Sequence, residues 1–322
     1  MIKNKNILIT GGAGFIGSHL VELLLKEGNF IVVIDNFNDY YEGKDANIQS
    51  AIKNCEAKDY HIIRGDITKE DIFNKITVDV DIIFNLAAQA GVRYSIENAA
   101  EVAQNNITSV VNVLDYAVEK DIGKIVHASS SSVYGNPLYT PLDEDHPKNP
   151  ISPYAVSKLC GELYCDYYFK EYNLLVSSLR FYTVYGPRGR PDMAIRKFFN
   201  LMFQDKEITI YGDGTQLRDY TYVSDIINGL YLAAEKTESA GQVFNLGYSN
   251  PISVNDLIEK MYSISGKSKK VKYIESQQGD VDITYSNTEK AKKILNYHPQ
   301  INIDEGLKKT YEWQKKIQLT KL

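Results

Sequence analysis

Short apolar runs alternate with longer segments of helical period along the first part of the chain. Residues 7–10, 30–35, 60–64, 81–86, 124–129 and 174–180 are short, mostly apolar runs, the pattern of strands in a parallel sheet covered by helices. Between them, residues 16–27, 101–118 and 154–172 repeat their apolar positions at helical spacing without an internal proline, as crossover helices would. After Arg180 the pattern loosens into Gly/Pro-rich stretches such as Tyr185-Gly-Pro-Arg-Gly-Arg-Pro191 and Tyr211-Gly-Asp-Gly-Thr215, more like loops that line a site than further sheet. Residues 243–246 read as a late strand returning to the sheet. The expected fold is α/β: a doubly wound parallel sheet of the Rossmann type over residues 1–182, with a returning segment near 217–247, and a smaller α/β lobe made mainly from 183–322.

Composition changes this picture little. With 322 residues, 43% hydrophobic and 24% charged, the chain can bury a sizeable core and is neither disordered nor fibrous. Its formal charge of −5 offers no global attraction for nucleic acid or an anionic membrane, so an anionic ligand must be held by local groups. Cys55, Cys160 and Cys165 lack metal-ligand spacing and leave an odd thiol, which fits a reducing compartment; no metal site is expected. The N-terminus enters an apolar strand without a signal-type run, and no stretch reaches membrane-spanning length, so a cytoplasmic protein is expected. The 24 tyrosines are mostly half-buried packing residues with a wet hydroxyl, so only placement singles one out. Neither repeats nor low-complexity tracts are present, and the lysine pairs at 269–270, 308–309 and 315–316 read as solvated helix faces.

Chemistry enters at Thr10-Gly-Gly-Ala-Gly-Phe-Ile-Gly17. Glycines at 11, 14 and 17 follow the first strand and open the first helix, where missing side chains let backbone turn tightly and approach a pyrophosphate at the helix N-terminus. Asp35 ends the second strand, placed to accept from adenosine ribose hydroxyls, and Asn36-Phe-Asn38 beyond it offers no arginine for a ribose phosphate. NAD is therefore expected rather than NADP. Asp66 with Ile67 is placed to meet the adenine, and the small residues of Leu86-Ala-Ala88 let backbone lie against the cofactor. Phe15, Ile16, Ser129 and Tyr182 complete the expected cofactor path.

Ser129-Ser-Ser-Ser-Val-Tyr-Gly135 follows the fifth strand, and Tyr154-Ala-Val-Ser-Lys158 opens the next long helix. Tyr154 and Lys158, four apart, share a helix face, so the ammonium can lower the phenol pKa while also binding nicotinamide ribose. Tyr154 then becomes a candidate base, with Ser130 bridging phenol and substrate oxygen. A pocket with Ser130, Ser131, Ser132 and Thr183 offers neutral hydroxyl donors and no nearby acid, and Arg190 can add a planar cationic fork. Such a set suits a carboxylate. The alternative for Arg190 is a loop arginine facing solvent.

From end to end the chain resembles the extended short-chain dehydrogenase/reductase superfamily: the glycine run, Asn85-Leu-Ala-Ala88, the serine turn, Tyr154 to Lys158, Leu179-Arg-Phe-Tyr-Thr183 and Arg218-Asp-Tyr220 all appear in order. The resemblance implies Ser130, Tyr154 and Lys158 as catalytic residues, and Asn105 as support on the cofactor side. It also implies a uridine site on Ile208, Thr209 and Tyr211, a diphosphate contact at Arg218, and a ribose contact at Asp280. Ser131 and Ser132 stand where dehydratases and decarboxylases of the family carry acids, which favours hydride removal and return over elimination. The stretches 90–98, which includes Arg93, and 183–194 look most like UDP-glucuronate 4-epimerases. One departure is Gln277, where the family commonly has a diphosphate-binding arginine. The implied protein is a 4-epimerase of a UDP-sugar, most specifically UDP-glucuronate, and a homodimer by base rate. A 4-epimerase of neutral or N-acetylated UDP-hexoses and a non-catalytic NAD-binding regulator are the rival expectations.

Overall fold

A computed structural model describes residues 1–55, 59–275 and 281–320. In chain order its first half runs β1 (Asn6–Thr10), α1 (Phe15–Lys26), β2 (Phe30–Asp35), α2 (Lys44–Cys55), β3 (Tyr60–Arg64), β4 (Ile82–Asn85), α3 (Val92–Glu97), α4 (Ala99–Ala103), α5 (Ser109–Glu119), β5 (Lys124–Ser130) and α6 (Pro153–Tyr172). It continues through β6 (Val176–Phe181), β7 (Thr183–Tyr185), α7 (Ala194–Phe203), β8 (Ile208–Tyr211), β9 (Leu217–Arg218), β10 (Tyr220–Tyr222), α8 (Val223–Glu235), β11 (Val243–Leu246), β12 (Ile252–Ser253), α9 (Val254–Ser265), β13 (Val271–Ile274), α10 (Glu289–Leu295) and α11 (Ile303–Thr320).

The main sheet has seven strands in the order β11-β6-β5-β4-β1-β2-β3, every neighbouring pair parallel. The order reverses between β1 and β4, so the connections leaving their paired C-terminal ends run to opposite sides and leave the crevice in which such sheets hold ligands. Each apolar run of the sequence became one of these strands. The late strand, β11, pairs with β6 in register from Val243 opposite Ser178 to Leu246 opposite Phe181.

One apolar cluster joins Ile7, Ile9 and Val33 on one sheet face to α1, α8 and, without a break, to Met202, Met261 and Leu307 of α7, α9 and α11. A second lies on the opposite face, where Leu8, Val32 and Ile83 meet Val113 and Leu114 of α5 and Cys165 and Tyr168 of α6.

Two differences from the expected elements bear on function. The helix expected over 101–118 is interrupted: a π-helical turn, Gln104–Thr108, lies between α4 and α5. Such turns carry an extra residue and often mark functional positions. Here the buried amide of Asn106 donates to the Ser157 hydroxyl of α6 at 2.9 Å and to the Gln89 carbonyl at 3.1 Å, while its oxygen accepts from Gln89 N at 2.7 Å. The second difference is α2, whose polar sequence hid it; only its Asn47, Ile48, Ala51 and Ile52 face is buried.

Candidate functional site

The first cleft, about 430 Å³, opens over the C-terminal ends of β1, β2, β4 and β5. Gly11 sits at φ +71, and a Cβ there would stand 2.8 Å from Ala87 N; a Cβ at Gly17 would stand 2.2 Å from the Gly11 carbonyl. No side chain could be tolerated at either position. The N-terminus of α1, with Gly14 as its cap residue, has no side-chain cap and no acid in its first turn, leaving its amides for an anion. This cradle fits a dinucleotide pyrophosphate.

Every residue placed on the cofactor path lines this cleft: Gly11, Gly14, Phe15, Ile16, Gly17, Asp35, Asn36, Asn38, Asp66, Ile67, Leu86, Ala87, Ala88, Asn105, Ser129, Tyr154, Lys158 and Tyr182. Asp35 also stabilises the glycine turn, its two oxygens accepting from Ala13 N at 3.0 Å and Phe37 N at 2.9 Å. Burial raises its pKa and those amides oppose the rise. Thr10 was not foreseen. Its hydroxyl donates to Asn85 Oδ1 at 2.7 Å and accepts from Leu86 N and Ala87 N, which shapes the strand end beneath the cofactor path.

Tyr154 and Lys158 lie one turn apart on α6, which Pro153 and the Ser152 cap start in register: Ser152 Oγ accepts from Ala155 N at 3.2 Å. Ser130 lies beside the Tyr154 hydroxyl, close enough to lower its pKa. Lys158 is buried, its Nζ donating to the Ala128 carbonyl at 2.8 Å, and burial brings its pKa down to about 8. For Tyr154 burial is the largest influence and raises the pKa, while Arg190 and then Ser130 pull it down. The expected lowering by Lys158 therefore does not dominate; the neighbouring cation that counts is Arg190. His127, behind Lys158, is held neutral by burial, its pKa down to about 3. Because Asn85 Oδ1 takes the Thr10 proton, Asn85 Nδ2 donates to His127 Nδ1 at 3.3 Å, so His127 carries its hydrogen on Nε2.

The second cleft, about 670 Å³, continues from the first past Thr183, Val184 and Arg190. Arg93, Thr209, Tyr211 and Arg218 line it, with the Arg93 guanidinium 4.5 Å from the centre of the Tyr211 ring. Arg218 donates to the Leu217 carbonyl at 2.9 Å. Ile208 does not line this cleft. Along β8 the side chains alternate: Ile208 and Ile210 are buried, Ile210 also bordering the cleft, while the half-buried Thr209 and Tyr211 line it. Ser130 and Ser131 line the first cleft; Ser132 lines neither, and its hydroxyl donates to Ser130 Oγ at 2.9 Å. Asp280 and Gln277 lie outside the described residues.

Arg190 stands where the clefts meet, its side chain 17% exposed, so it is not a solvent-facing loop residue. The expectation of no acid nearby is corrected by Asp192. Arg190 Nε donates to Asp192 Oδ1 at 3.0 Å and Nη2 to Oδ2 at 2.6 Å. That pairing uses one edge of the guanidinium, leaving Nη1 and the second Nη2 hydrogen for another acceptor. Tyr40 was also missed. Its ring centre lies 5.6 Å from the Arg190 guanidinium and its hydroxyl contacts Asp192. The long connection from Asn36 to Gly43 between β2 and α2 was the available signal for it. Among the described residues, no His/Cys/Asp/Glu group could hold a metal ion and no helix is long and apolar enough to cross a membrane.

The family model for GDP-mannose 4,6 dehydratase matches residues 8–310. The chain is 40% identical to a UDP-glucuronate 4-epimerase of Thermodesulfobacterium geofontis, over 98% of each chain. Its fold is similar to that of UDP-glucuronic acid 4-epimerase from Bacillus cereus, solved with UDP-glucuronic acid and NAD: TM-score 0.91, 37% identity, 97% of this chain and 99% of that one. It is also similar to a UDP-glucose 4-epimerase of Thermotoga maritima solved with UDP-glucose: TM-score 0.90, 33% identity, 97% of this chain and 99% of that one. With the glycine cradle and the Ser130, Tyr154 and Lys158 arrangement already in place, these likenesses assign the chain to the NAD-dependent epimerase/dehydratase family of extended short-chain dehydrogenase/reductases, among its UDP-sugar 4-epimerases.

Proposed function

We propose that the protein interconverts UDP-glucuronate and UDP-galacturonate by transient oxidation at C4. The observation that carries this reading is Arg190, at the junction of the clefts with one guanidinium edge uncommitted to Asp192, beside Thr183 and Ser131. A sugar carboxylate there would meet charge-assisted and neutral donors together. Tyr154 takes the proton of the 4-hydroxyl and later returns it, with Ser130 bridging the phenol and the sugar oxygen. Lys158 holds the cofactor ribose side of the cleft, and Arg190 and Ser130 pull the phenol toward ionisation. NAD, when bound, supplies the reversible hydride acceptor. Arg93, Thr209, Tyr211 and Arg218 are read as the UDP side of the second cleft, and residues 1–182 as the NAD-holding part.

A second reading has an observation of its own. Asp192 balances the charge of Arg190, which favours a neutral or N-acetylated hexose over a uronate. The Ser130, Tyr154 and Lys158 set counts against a non-catalytic regulator. We also infer a homodimer, since Val156, Leu163, Tyr164 and Tyr167 leave an exposed stripe on α6 at heptad-like spacing. Incubation of the purified protein with UDP-glucuronate, UDP-glucose and UDP-N-acetylglucosamine, with products separated by epimer, decides the substrate. The expected result is turnover of UDP-glucuronate without net NADH. Exclusive turnover of a neutral sugar overturns the uronate reading, and stoichiometric NADH overturns epimerisation.

A further inference from the structure

The turn bearing the serines is held from behind by groups that never reach the clefts. Glu162 lies two helical turns beyond Tyr154 and one beyond Lys158 on α6, and is buried. Its Oε1 accepts from Ser129 Oγ at 2.5 Å and from Arg180 Nε at 2.8 Å; its Oε2 accepts from Arg180 Nη2 at 2.7 Å. Arg180, on β6 and 2% exposed, turns its remaining nitrogen, Nη1, to Tyr134 Oη at 2.8 Å. Tyr134 Oη in turn donates to Asn245 Oδ1 of β11 at 2.7 Å.

Ser129 and Tyr134 are the two ends of the turn between which Ser130 and Ser131 face the cleft. One buried ion pair therefore grips both ends. The same helix face meets consecutive residues of β5: Lys158 bonds Ala128, Glu162 bonds Ser129, and Tyr154 stands against Ser130. Stability alone does not account for such a pair, because replacing a buried ion pair by apolar residues of similar volume is often neutral or stabilising. What the pair supplies is direction. It joins the strand carrying Ser130 to the helix carrying Tyr154, and closes the far end of the turn onto β6.

We propose that Glu162 and Arg180 are positioning residues for catalysis: a buried clamp that sets Ser130 against Tyr154 without touching substrate or cofactor. The proposal rests on Ser130 and Tyr154 being the proton-handling pair. A misplacement of about 1 Å at a reacting group costs roughly 10²-fold in rate, so releasing one end of the turn should appear in kcat.

The test uses the full-length, NAD-loaded protein and the UDP-sugar that the wild type turns over best. Tyr134→Phe removes one end of the clamp and leaves the ion pair intact; Glu162→Met/Arg180→Met removes the pair without stranding a buried charge; Ser129, which also lines the first cleft, is left in place. Tyr154→Phe is run alongside. The expected result for the clamp variants is retained NAD, a melting temperature near wild type, KM within about threefold, and kcat lowered about 10- to 100-fold. A kcat within twofold of wild type in both clamp variants, with Tyr154→Phe inactive, overturns the clamp while leaving the reading of Tyr154 standing. Loss of NAD together with a fall in melting temperature also overturns it, placing the pair in fold support. Near-normal turnover by Tyr154→Phe instead removes the reading on which the clamp depends.

Discussion

Arg190→Ala separates the uronate reading from its neutral-sugar rival. Oxidation at C4 of a glucuronate makes a ketone β to the C6 carboxylate, and a β-keto acid loses carbon dioxide when the breaking bond stands perpendicular to the carbonyl plane. An epimerase for this sugar must hold the carboxylate out of that alignment while the ring turns over. Two energies follow from the geometry. Removing the guanidinium removes hydrogen bonds to a charged group, worth about 1.5–3 kcal/mol, or roughly 10- to 150-fold in kcat/KM for UDP-glucuronate. It also strands the Asp192 carboxylate, 45% exposed, beside the substrate anion. Two charges about 6 Å apart repel by roughly 0.7 kcal/mol in bulk water and up to ~3 kcal/mol at an effective dielectric of about 20; the partial exposure favours the lower end. Arg190→Ala/Asp192→Asn should therefore recover about threefold of the loss. The assay follows epimer formation, carbon dioxide release and NADH absorbance together. The expected outcome is slowed epimerisation with some intermediate diverted to a 4-keto-pentose, each diverted turnover leaving one NADH. Unchanged kcat/KM with no carbon dioxide would refute the reasoning, and an equal loss on UDP-glucose would assign Arg190 a role unrelated to the carboxylate.

Three further outcomes are expected. Tyr154→Phe keeps its fold and NAD but loses about two or more orders of magnitude in kcat, the usual size of general-base catalysis; retention of near-normal turnover removes Tyr154 from the mechanism. His127 has a folded pKa of about 3 against 6.5 for the free side chain, so the unfolded chain binds the extra proton first and stability is lost as pH falls from 6.5 toward 3. His127→Asn, which keeps an acceptor for Asn85, should flatten that acid limb by up to about 1.4 kcal/mol per pH unit in denaturant titrations, and superimposable limbs would contradict it. If the proposed homodimer forms through the exposed α6 stripe, Leu163→Glu should lower the wild-type mass to that of a monomer in light-scattering measurements; a monomeric wild type, or an unchanged mass in the variant, overturns that interface.

The sheet was legible in the sequence because strands of a parallel sheet covered by helices must be mostly apolar, and the glycine turn because its backbone excludes side chains at Gly11 and Gly17. Tyr154 and Lys158 were legible because four residues make one helical turn. Long-range pairings were not. Nothing in Gln104-Asn-Asn-Ile-Thr108 forbids an ordinary helix; the π-helical turn accompanies bonds from Asn106 to Gln89 and Ser157. Glu162 reads as a solvated helix residue until Arg180 is placed opposite it. Asp192, only two residues from Arg190, escaped because loop geometry sets which side chains face one another. The burial of the Ile208 side chain could have been read beforehand, since strand alternation puts it on the face opposite Thr209 and Tyr211.

The return of β11 to the edge of the sheet has a consequence for synthesis. Until residues 243–246 emerge, β6 is an open sheet edge with unpaired amides and carbonyls, and the Tyr134 hydroxyl lacks Asn245. A nascent or truncated chain ending before that strand would carry every glycine of the cofactor turn and all of Ser130, Tyr154 and Lys158, yet present a sticky edge at β6. Such fragments should associate edge to edge rather than persist as small soluble nucleotide-binding proteins.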